Sequence, residues 1–123
     1  MLDVSSYAAG QWIAPGVGAR TIASAITGDV IAHAGNDALD VQAMLSYARD
    51  TGGPALRKMT FHDRARMLKA LAGYLNDGKQ ALYDLSYDTG ATLSDHRIDV
   101  DGGIGTMMVF AAKGRREMPD AHV

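Results

Sequence analysis

The sequence predicts an α+β fold in which a small N-terminal layer of β-strands and a hairpin is followed by about four α-helices. Two observations predict it. Short segments rich in β-branched and aromatic residues, separated by glycine turns, fill residues 1–35. From Asn36 onward the apolar residues recur at i, i+3, i+4 and i+7, the spacing of one helix face. Residues 36–123 are expected to be mainly helical, and since we find no repeat, linker or low-complexity tract, residues 1–123 are expected to be one small domain or part of a larger one.

The composition is that of an ordinary folded protein. Hydrophobic residues make up 47% and charged residues 21% of the 123 residues, and the net charge is −2. Lysines and arginines are scattered, so neither a nucleic-acid partner nor a membrane partner is predicted. No signal peptide is expected, because no basic region followed by an apolar run begins the sequence, and no stretch approaches the ~20 apolar residues that span a bilayer. The absence of cysteine excludes disulfides and a cysteine nucleophile within these residues, and it fits the reducing cytoplasm.

Three strands are expected in the first third of the chain. Residues 7–13 form a short strand with a glycine inside it, and residues 21–26 form a second strand. The turn at Thr27-Gly28-Asp29 leads into a third strand over residues 30–33, and Gly28 permits a positive φ there.

The first two helices are predicted from their apolar spacing and their caps. Asp37 is the expected cap of the first helix, which residues 51–54 end or interrupt; its apolar face holds Val41, Met44, Leu45 and Ala48. Thr60 and Asp63 form a capping box that opens the second helix, whose apolar stripe holds Leu68, Leu71, Ala72 and Leu75. The polar face of this helix is expected to be solvated and ion-paired; it holds Asp63, Arg64, Arg66 and Lys69.

Two more helices are expected after residue 77. Asp77 is the expected cap of the third, with Leu82 and Leu85 facing inward and Gly90 at a left-handed C-cap position. Ser94 is the expected cap of the fourth, whose end is marked by Gly114 and Pro119 and whose apolar side holds Ile104, Met107, Met108 and Ala111.

The glycine run at residues 99–106 is the one stretch that resembles a phosphate-binding loop. Such a loop needs a buried apolar strand before it, whereas here the preceding residues alternate with aspartates and a helix cap lies upstream. We therefore favour a helix with small residues on one face. Each glycine in a helix costs up to ~1 kcal/mol, which indicates a packing or access reason for keeping three of them.

The sequence identifies no catalytic, cofactor-binding or metal-binding residue. None of the four histidines forms an i, i+4 pair of the kind that holds a metal on a helix, and no cysteine assists them. His62 is expected to be solvated in the first turn of its helix. The carboxylates are too spread out to form a paired acid–base site.

The order of the segments resembles the N-terminal part of aldehyde dehydrogenases. Residues 7–13 resemble the family's opening strand, and residues 24–32 resemble its next strand pair around a Thr-Gly-acid turn. The family usually has Asn-Pro where this chain has Ser24-Ala25. The subgroup that fits best is the bifunctional oxepin-CoA hydrolase/semialdehyde dehydrogenase of bacterial phenylacetate degradation, with the semialdehyde dehydrogenases of aerobic benzoyl-CoA breakdown second. The segments that match this subgroup are 53–61, 89–92, 100–106 and 116–120.

The resemblance implies the N-terminal part of the aldehyde dehydrogenase α/β fold, without its catalytic residues. The family's cofactor-binding sheet, nucleophilic cysteine, general-base glutamate and oxyanion asparagine would lie downstream, so this segment would bind neither NADP nor NAD and would be inactive alone. In the intact enzyme a thiolate would attack a CoA-linked semialdehyde, and the adduct would pass hydride to the nicotinamide. The implied partners are the rest of the dehydrogenase domain and further copies in a homo-oligomer. The alternative is a free-standing, non-catalytic interaction module.

The resemblance also implies where a substrate would pass. Aligning Val109-Phe110-Ala111 with the family's aromatic-aromatic-Ala step places Ile98 and Gly102 at positions that face the substrate tunnel. Gly105 and Thr106 lie three and four residues after Gly102, so they share its side of a helix. Close helix packing would explain the small residues equally well.

Overall fold

A computed structural model describes residues 2–122, with strands up to residue 34 and helices from residue 41 onward. The predicted α+β class is confirmed. The chain divides into two compact units: the first comprises the residues up to Gly53 together with Asp88–Gly90, and the second comprises Pro54–Tyr87 together with the residues from Ala91 onward. No helix in residues 2–122 combines the length and the apolar character that crossing a membrane requires.

Short strands form the first part of the first unit. They are β1 (Leu2–Val4), β2 (Ser6–Ala8), β3 (Gln11–Ile13), β4 (Arg20–Ala23) and β5 (Val30–Ala34). The central strand β5 pairs in parallel with β1 and antiparallel with β4, whereas β2 and β3 form a separate antiparallel pair. Ala32, at the middle of β5, is buried. Asp3 and His33, which are register partners, lie 3.2 Å apart through Oδ1 and Nδ1.

The single strand expected over residues 7–13 is wrong, because this segment is a hairpin. Ala9 and Gly10 join β2 to β3 with φ values of 49° and 85°. Two successive positive φ values give a type I′ turn, whose twist matches that of paired strands. The turn also brings Tyr7 and Trp12 together, with ring centroids 5.1 Å apart in an edge-to-face arrangement.

The second expected strand ends three residues early because Ser24 starts a turn. The Ser24 hydroxyl accepts hydrogen bonds from the backbone N–H groups of Ile26 and Thr27, at 3.3 and 3.4 Å. Its own N–H donates to the Asp29 carbonyl at 2.9 Å, and Gly28 has a φ of 76°. The tight turn predicted at residues 27–29 is therefore confirmed, and β4 stops at Ala23.

Helix α1 (Val41–Tyr47) begins later than expected. Its N-cap is Asp40, whose Oδ1 accepts from the Ala43 N–H at 2.9 Å, and not Asp37. Asp37 instead accepts from the Gly18 N–H at 2.8 Å and so fastens the preceding loop. The apolar face expected on α1 contains no buried residue. A π-helical turn, Ala48–Gly52, follows, and α2 (Gly53–Arg57) comes next, so residues 51–54 interrupt the helix and do not end it.

The remaining helices are α3 (Phe61–Asp77), α4 (Lys79–Asp84), α5 (Ser86–Thr89) and α6 (Leu93–Glu117). The capping box of α3 is confirmed: Thr60 Oγ1 accepts from the Asp63 N–H, and the Asp63 carboxylate accepts from the Thr60 N–H, both at 3.1 Å. The predicted left-handed conformation of Gly90, directly after α5, is also confirmed, with a φ of 74°.

Besides Asp37, two more of the expected caps are wrong. Asp77 is the last residue of α3, and Gly78, which precedes α4, makes no side-chain cap bond. The N-cap of α6 is Thr92, whose hydroxyl accepts from the Asp95 N–H at 3.1 Å, and not Ser94. Leu85, which was expected to face inward, is exposed, whereas Tyr83 and Ser86 are buried.

The core of the second unit lies between α3 and α6, where small residues allow close approach. The fully buried Ala72 and the buried Ala65 line α3, while the predicted core residues Ile104 and Ala111 are buried on α6. Burying an isoleucine side chain contributes roughly 1.5–3 kcal/mol. A Cβ added to Gly114 would lie 3.1 Å from the Cβ of Ala65. The helix ends at Glu117, between Gly114 and Pro119, which were expected to mark its end, so Gly114 itself lies inside the helix.

Candidate functional site

The glycine run lies inside α6 and does not form a phosphate loop. Gly102, Gly103 and Gly105 all fall within Leu93–Glu117, and the residues before them are helical. Their backbone N–H groups are therefore directed along the helix to carbonyls four residues earlier. A dinucleotide loop requires a strand followed by free N–H groups at a helix start. The run does not fit the phosphates of a nicotinamide cofactor.

The four residues predicted to face a substrate share one side of α6. At 100° per residue, Ile98, Gly102, Gly105 and Thr106 fall on the side of the helix turned away from Ile104 and Ala111, which are buried. Ile98 is 68% exposed. We call these four residues the open face of α6. The tunnel role of the open face stays a prediction.

The glycines of the open face are not packing residues within the described chain. An added Cβ at Gly102 or Gly105 would meet no atom within 4 Å, and the same holds for Gly103 on a different side of the helix. The glycine that packs closely is Gly114. Thr106 lies at one end of the open face, and its hydroxyl donates to the Gly102 carbonyl at 2.8 Å. The described chain therefore shows no packing partner for Gly102 and Gly105.

A polar network that sequence reasoning missed lies one residue before the glycines. Asp101 Oδ1 accepts from the Tyr83 hydroxyl at 2.7 Å and from Lys79 Nζ at 3.0 Å. The cations of Lys79 and Arg97 lie 5.8 and 5.3 Å from the centroid of the Tyr83 ring. His96 Nε2 lies 2.8 Å from the Leu82 carbonyl and adds a second link between α4 and α6.

The network affects the charge states of its members. The hydrogen bond from Tyr83 lowers the pKa of the Asp101 carboxyl most, and the hydrogen bond from Lys79 lowers it further. The hydrogen bond to Asp101 is the main cause that raises the pKa of Lys79. Both shifts favour the charged forms, so the carboxylate and the ammonium are ionised at neutral pH.

A cavity of about 370 Å³ lies between α3 and α6 and is surrounded by positive charge. Its lining consists of Lys69, Met108, Ala111, Ala112, Arg115 and Arg116. Within residues 2–122, none of its three cations makes an ion pair. Cations beside an apolar floor can bind a phosphate or carboxylate group, because charge-assisted hydrogen bonds to such groups are strong.

The sequence carried only a weak signal for this cavity. Arg115 and Arg116 are adjacent, but Lys69 comes close to them only because α3 and α6 pack together. The expected polar face of α3 is otherwise only partly ion-paired: Asp63 pairs with Arg66, whereas Arg64 donates two hydrogen bonds to the Leu56 carbonyl. Lys69 is exposed, as expected for a solvated face, but it makes no ion pair within residues 2–122.

His62 is also less solvated than expected. Its side chain is 23% exposed and lies between two acceptors of the segment that follows α6. Nε2 is 3.0 Å from the Met118 carbonyl, and Nδ1 is 3.7 Å from an Asp120 carboxylate oxygen. A search of residues 2–122 finds no group of three or more acidic or histidine side chains able to hold a metal.

Comparison with known proteins adds a family and a relative. Residues 12–122 match the model of the aldehyde dehydrogenase family. A 3,4-dehydroadipyl-CoA semialdehyde dehydrogenase from Aromatoleum evansii is 33% identical over 115 residues, which cover 93% of this chain and 22% of that protein. The chain therefore spans about a fifth of the length of the curated relative it matches.

Proposed function

Since the chain belongs to the aldehyde dehydrogenase family, we propose that it forms the non-catalytic N-terminal part of an oxidoreductase that oxidises a CoA-linked semialdehyde. The relative from Aromatoleum evansii carries such a substrate in its name. Because the 123 residues contain no cysteine, the nucleophilic thiolate is supplied by another part of the enzyme. This part of the enzyme contributes a wall of the substrate passage.

The observation that carries the proposal is the open face of α6. Gly102 and Gly105 leave free space where a side chain would stand, although glycine weakens a helix. The described chain gives them no packing role. A long acyl chain joined to a bulky carrier needs this room more than a short aldehyde does.

The cationic cavity supports a carrier that bears phosphates. Lys69, Arg115 and Arg116 provide three positive charges next to an apolar floor. Ala112 of the cavity and Gly105 of the open face are seven residues apart on α6, so they lie on the same side of the helix, separated by about 10.5 Å at 1.5 Å rise per residue. We propose that a CoA ester binds with its phosphates at the cavity and with its pantetheine arm and acyl chain directed along the open face.

The remaining parts of the function follow from the same proposal. NAD or NADP accepts the hydride in the intact enzyme, and its binding sheet lies outside this segment. The partners are the rest of the dehydrogenase domain and further copies in a homo-oligomer. The enzyme acts in aromatic catabolism, and phenylacetate degradation is the pathway we favour. The cytoplasmic location expected from the sequence stays a prediction.

The test is Gly102→Leu in the complete dehydrogenase, compared with Gly103→Leu. Both changes replace a glycine that has free space around it in the same helix, but only Gly102 belongs to the open face. We expect Gly102→Leu to lower kcat/KM for the CoA-linked semialdehyde by about tenfold or more, with little loss for a short aldehyde. Gly103→Leu should leave both values within about twofold.

Two results would contradict the proposal. Equal losses for both substrates, together with a lower melting temperature, would give Gly102 a packing role. Reduction of NAD or NADP by the 123-residue chain alone would place the chemistry within these residues and not elsewhere in the enzyme. A stable chain that shows no turnover and captures a protein other than its own dehydrogenase would favour the alternative of an interaction module.

A further inference from the structure

We propose that Asp101, held by Tyr83 and Lys79, is a positioning residue. It keeps the glycine turn of α6, residues 102–105, helical and so maintains the width of the substrate passage. The inference rests on the proposed function for the passage. The helix-stabilising part stands on the described contacts alone. The network of Asp101, Tyr83 and Lys79 lies outside the open face.

The glycine turn is the weakest part of α6. Three glycines fall within four residues, and glycine has more backbone freedom to lose than any other residue. None of the three gains packing in return, since an added Cβ at each would meet no atom within 4 Å. Without outside support, this turn is the place where α6 would open or bend.

The helix is held on both sides of this turn. Ile104, within the turn, and Ala111, after it, are buried on the side of α6 that faces α3. Before it, Asp101 bonds to Tyr83 and Lys79 of α4, and His96 bonds to the Leu82 carbonyl. The backbone amides of residues 102–105 donate to the carbonyls of residues 98–101. The bonds of His96 and Asp101 to α4 hold the two ends of this part of the helix.

Tyr83 is suited to this role because it is buried and doubly engaged. It is 6% exposed, its hydroxyl donates to Asp101 at 2.7 Å, and two cations contact its ring. The hydroxyl is thus fixed in direction by the packing of the ring. A carboxylate that accepts from a fixed hydroxyl and an ammonium holds its own backbone segment in place.

The experiment uses Tyr83→Phe and Asp101→Asn in the complete dehydrogenase, with Glu117→Gln as the matched control. Tyr83→Phe keeps the ring and removes only the hydroxyl. Glu117→Gln weakens the exposed pair with Lys113 on the same helix, far from the glycines. Amide hydrogen exchange is measured at residues 102–105, and KM and kcat are measured for the CoA-linked semialdehyde and for a short aldehyde.

We expect both network variants to speed exchange at residues 102–105 by about tenfold, with the control within about twofold of wild type. KM for the CoA-linked semialdehyde should rise about fivefold or more while kcat for the short aldehyde stays within about twofold. Asp101→Glu, which keeps the charged carboxylate that Asp101→Asn removes, should restore most of the wild-type exchange rate and KM.

Unchanged exchange at residues 102–105 in Tyr83→Phe and Asp101→Asn would overturn the positioning role. Faster exchange with equal losses for both substrates would overturn the link to the passage. The proposed function fails in a different way, namely when the wild-type enzyme does not oxidise the CoA-linked semialdehyde, and the exchange rates still decide whether the network holds the helix.

Discussion

At the scale of single residues, Ser24 and Ala25 replace the Asn-Pro step that the family usually has. One serine hydroxyl accepts from two backbone N–H groups, as the side-chain oxygen of an asparagine does in an Asx-turn. Ala25 has an N–H that a proline lacks, and it donates to the Asp88 carbonyl at 2.8 Å. The change of residues therefore keeps the turn and adds a hydrogen bond between two distant parts of the first unit.

Ala25→Pro should lower the free energy of unfolding by about 1–3 kcal/mol, because it removes this donor and leaves the Asp88 carbonyl without it. Ala25→Ser is the matched control, since it keeps the N–H and should differ from wild type by less than about 0.5 kcal/mol. Urea denaturation of the three proteins measures the effect. A proline variant as stable as wild type would show that the Ala25–Asp88 bond contributes nothing.

The capping box of α3 makes the stability of the folded protein depend on pH. The backbone N–H of Thr60 is the main cause that lowers the pKa of Asp63, and the bond from Arg66 lowers it further. A carboxyl whose pKa is lower in the folded state stabilises the fold above its unfolded pKa and loses this effect as pH falls through the folded value. The loss should therefore begin near the ordinary value of 3.8 and continue below it.

Comparing wild type with Asp63→Asn by urea denaturation between pH 2 and pH 7 tests this sign. Wild type should be the more stable protein at neutral pH, and the difference should shrink steadily below pH 3.8. A difference that is constant over the whole range would mean that the charge of Asp63 has no part in the cap.

At the scale of secondary-structure elements, the interiors of the helices follow the sequence more closely than their ends do. The apolar spacing located α3 and α6 because Ala72, Ile104 and Ala111 are spaced for one buried side. Several Asp, Ser and Thr residues near each start could all serve as caps, however, and tertiary contacts choose among them. Asp37 is used by the Gly18 N–H and leaves Asp40 to cap α1.

Gly114→Val should weaken the packing of α3 on α6. The added Cβ would lie 3.1 Å from the Cβ of Ala65, so the helices must move apart or the side chains must strain, at a cost of about 1–3 kcal/mol. The same substitution at Gly103, which has free space, should be neutral or stabilising because valine is the better helix former. Thermal melting followed by circular dichroism distinguishes the two. Equal melting temperatures would refute close packing at Gly114.

At the scale of the whole molecule, the site depends on helices far apart in sequence, which local patterns do not reveal. Spacing along one helix was enough to put Gly102 and Thr106 on one side of α6. It could not bring Lys69 to Arg115 and Arg116, or Tyr83 to Asp101, because those approaches depend on how α3, α4 and α6 pack. Each unit also leaves large apolar side chains exposed within residues 2–122, among them Leu2, Trp12, Val17, Val41, Tyr74, Ile98 and Phe110.

The 123-residue chain should therefore self-associate when it is purified alone. Burying exposed apolar side chains away from water lowers the free energy. Within residues 2–122, β1 and β4 are the edge strands of their sheet, so each has an outer edge without a partner strand. Light scattering over a range of concentrations should show particles larger than a monomer, and a double variant with Trp12→Lys and Phe110→Lys should reduce their size. A compact monomer that melts cooperatively at high concentration would show that these surfaces need no cover.

The free space around Gly102 and Gly105 also bears on how such an enzyme can diverge. In most helices, enlarging a side chain that faces a substrate also disturbs the packing behind it, so that specificity and stability change together. Here a larger residue meets no neighbour within the described chain and improves helix propensity. Under the proposed passage role, variation at Gly102 and Gly105 would narrow the range of accepted aldehydes without a steric conflict inside the described chain, and a lineage could then explore new substrates one substitution at a time.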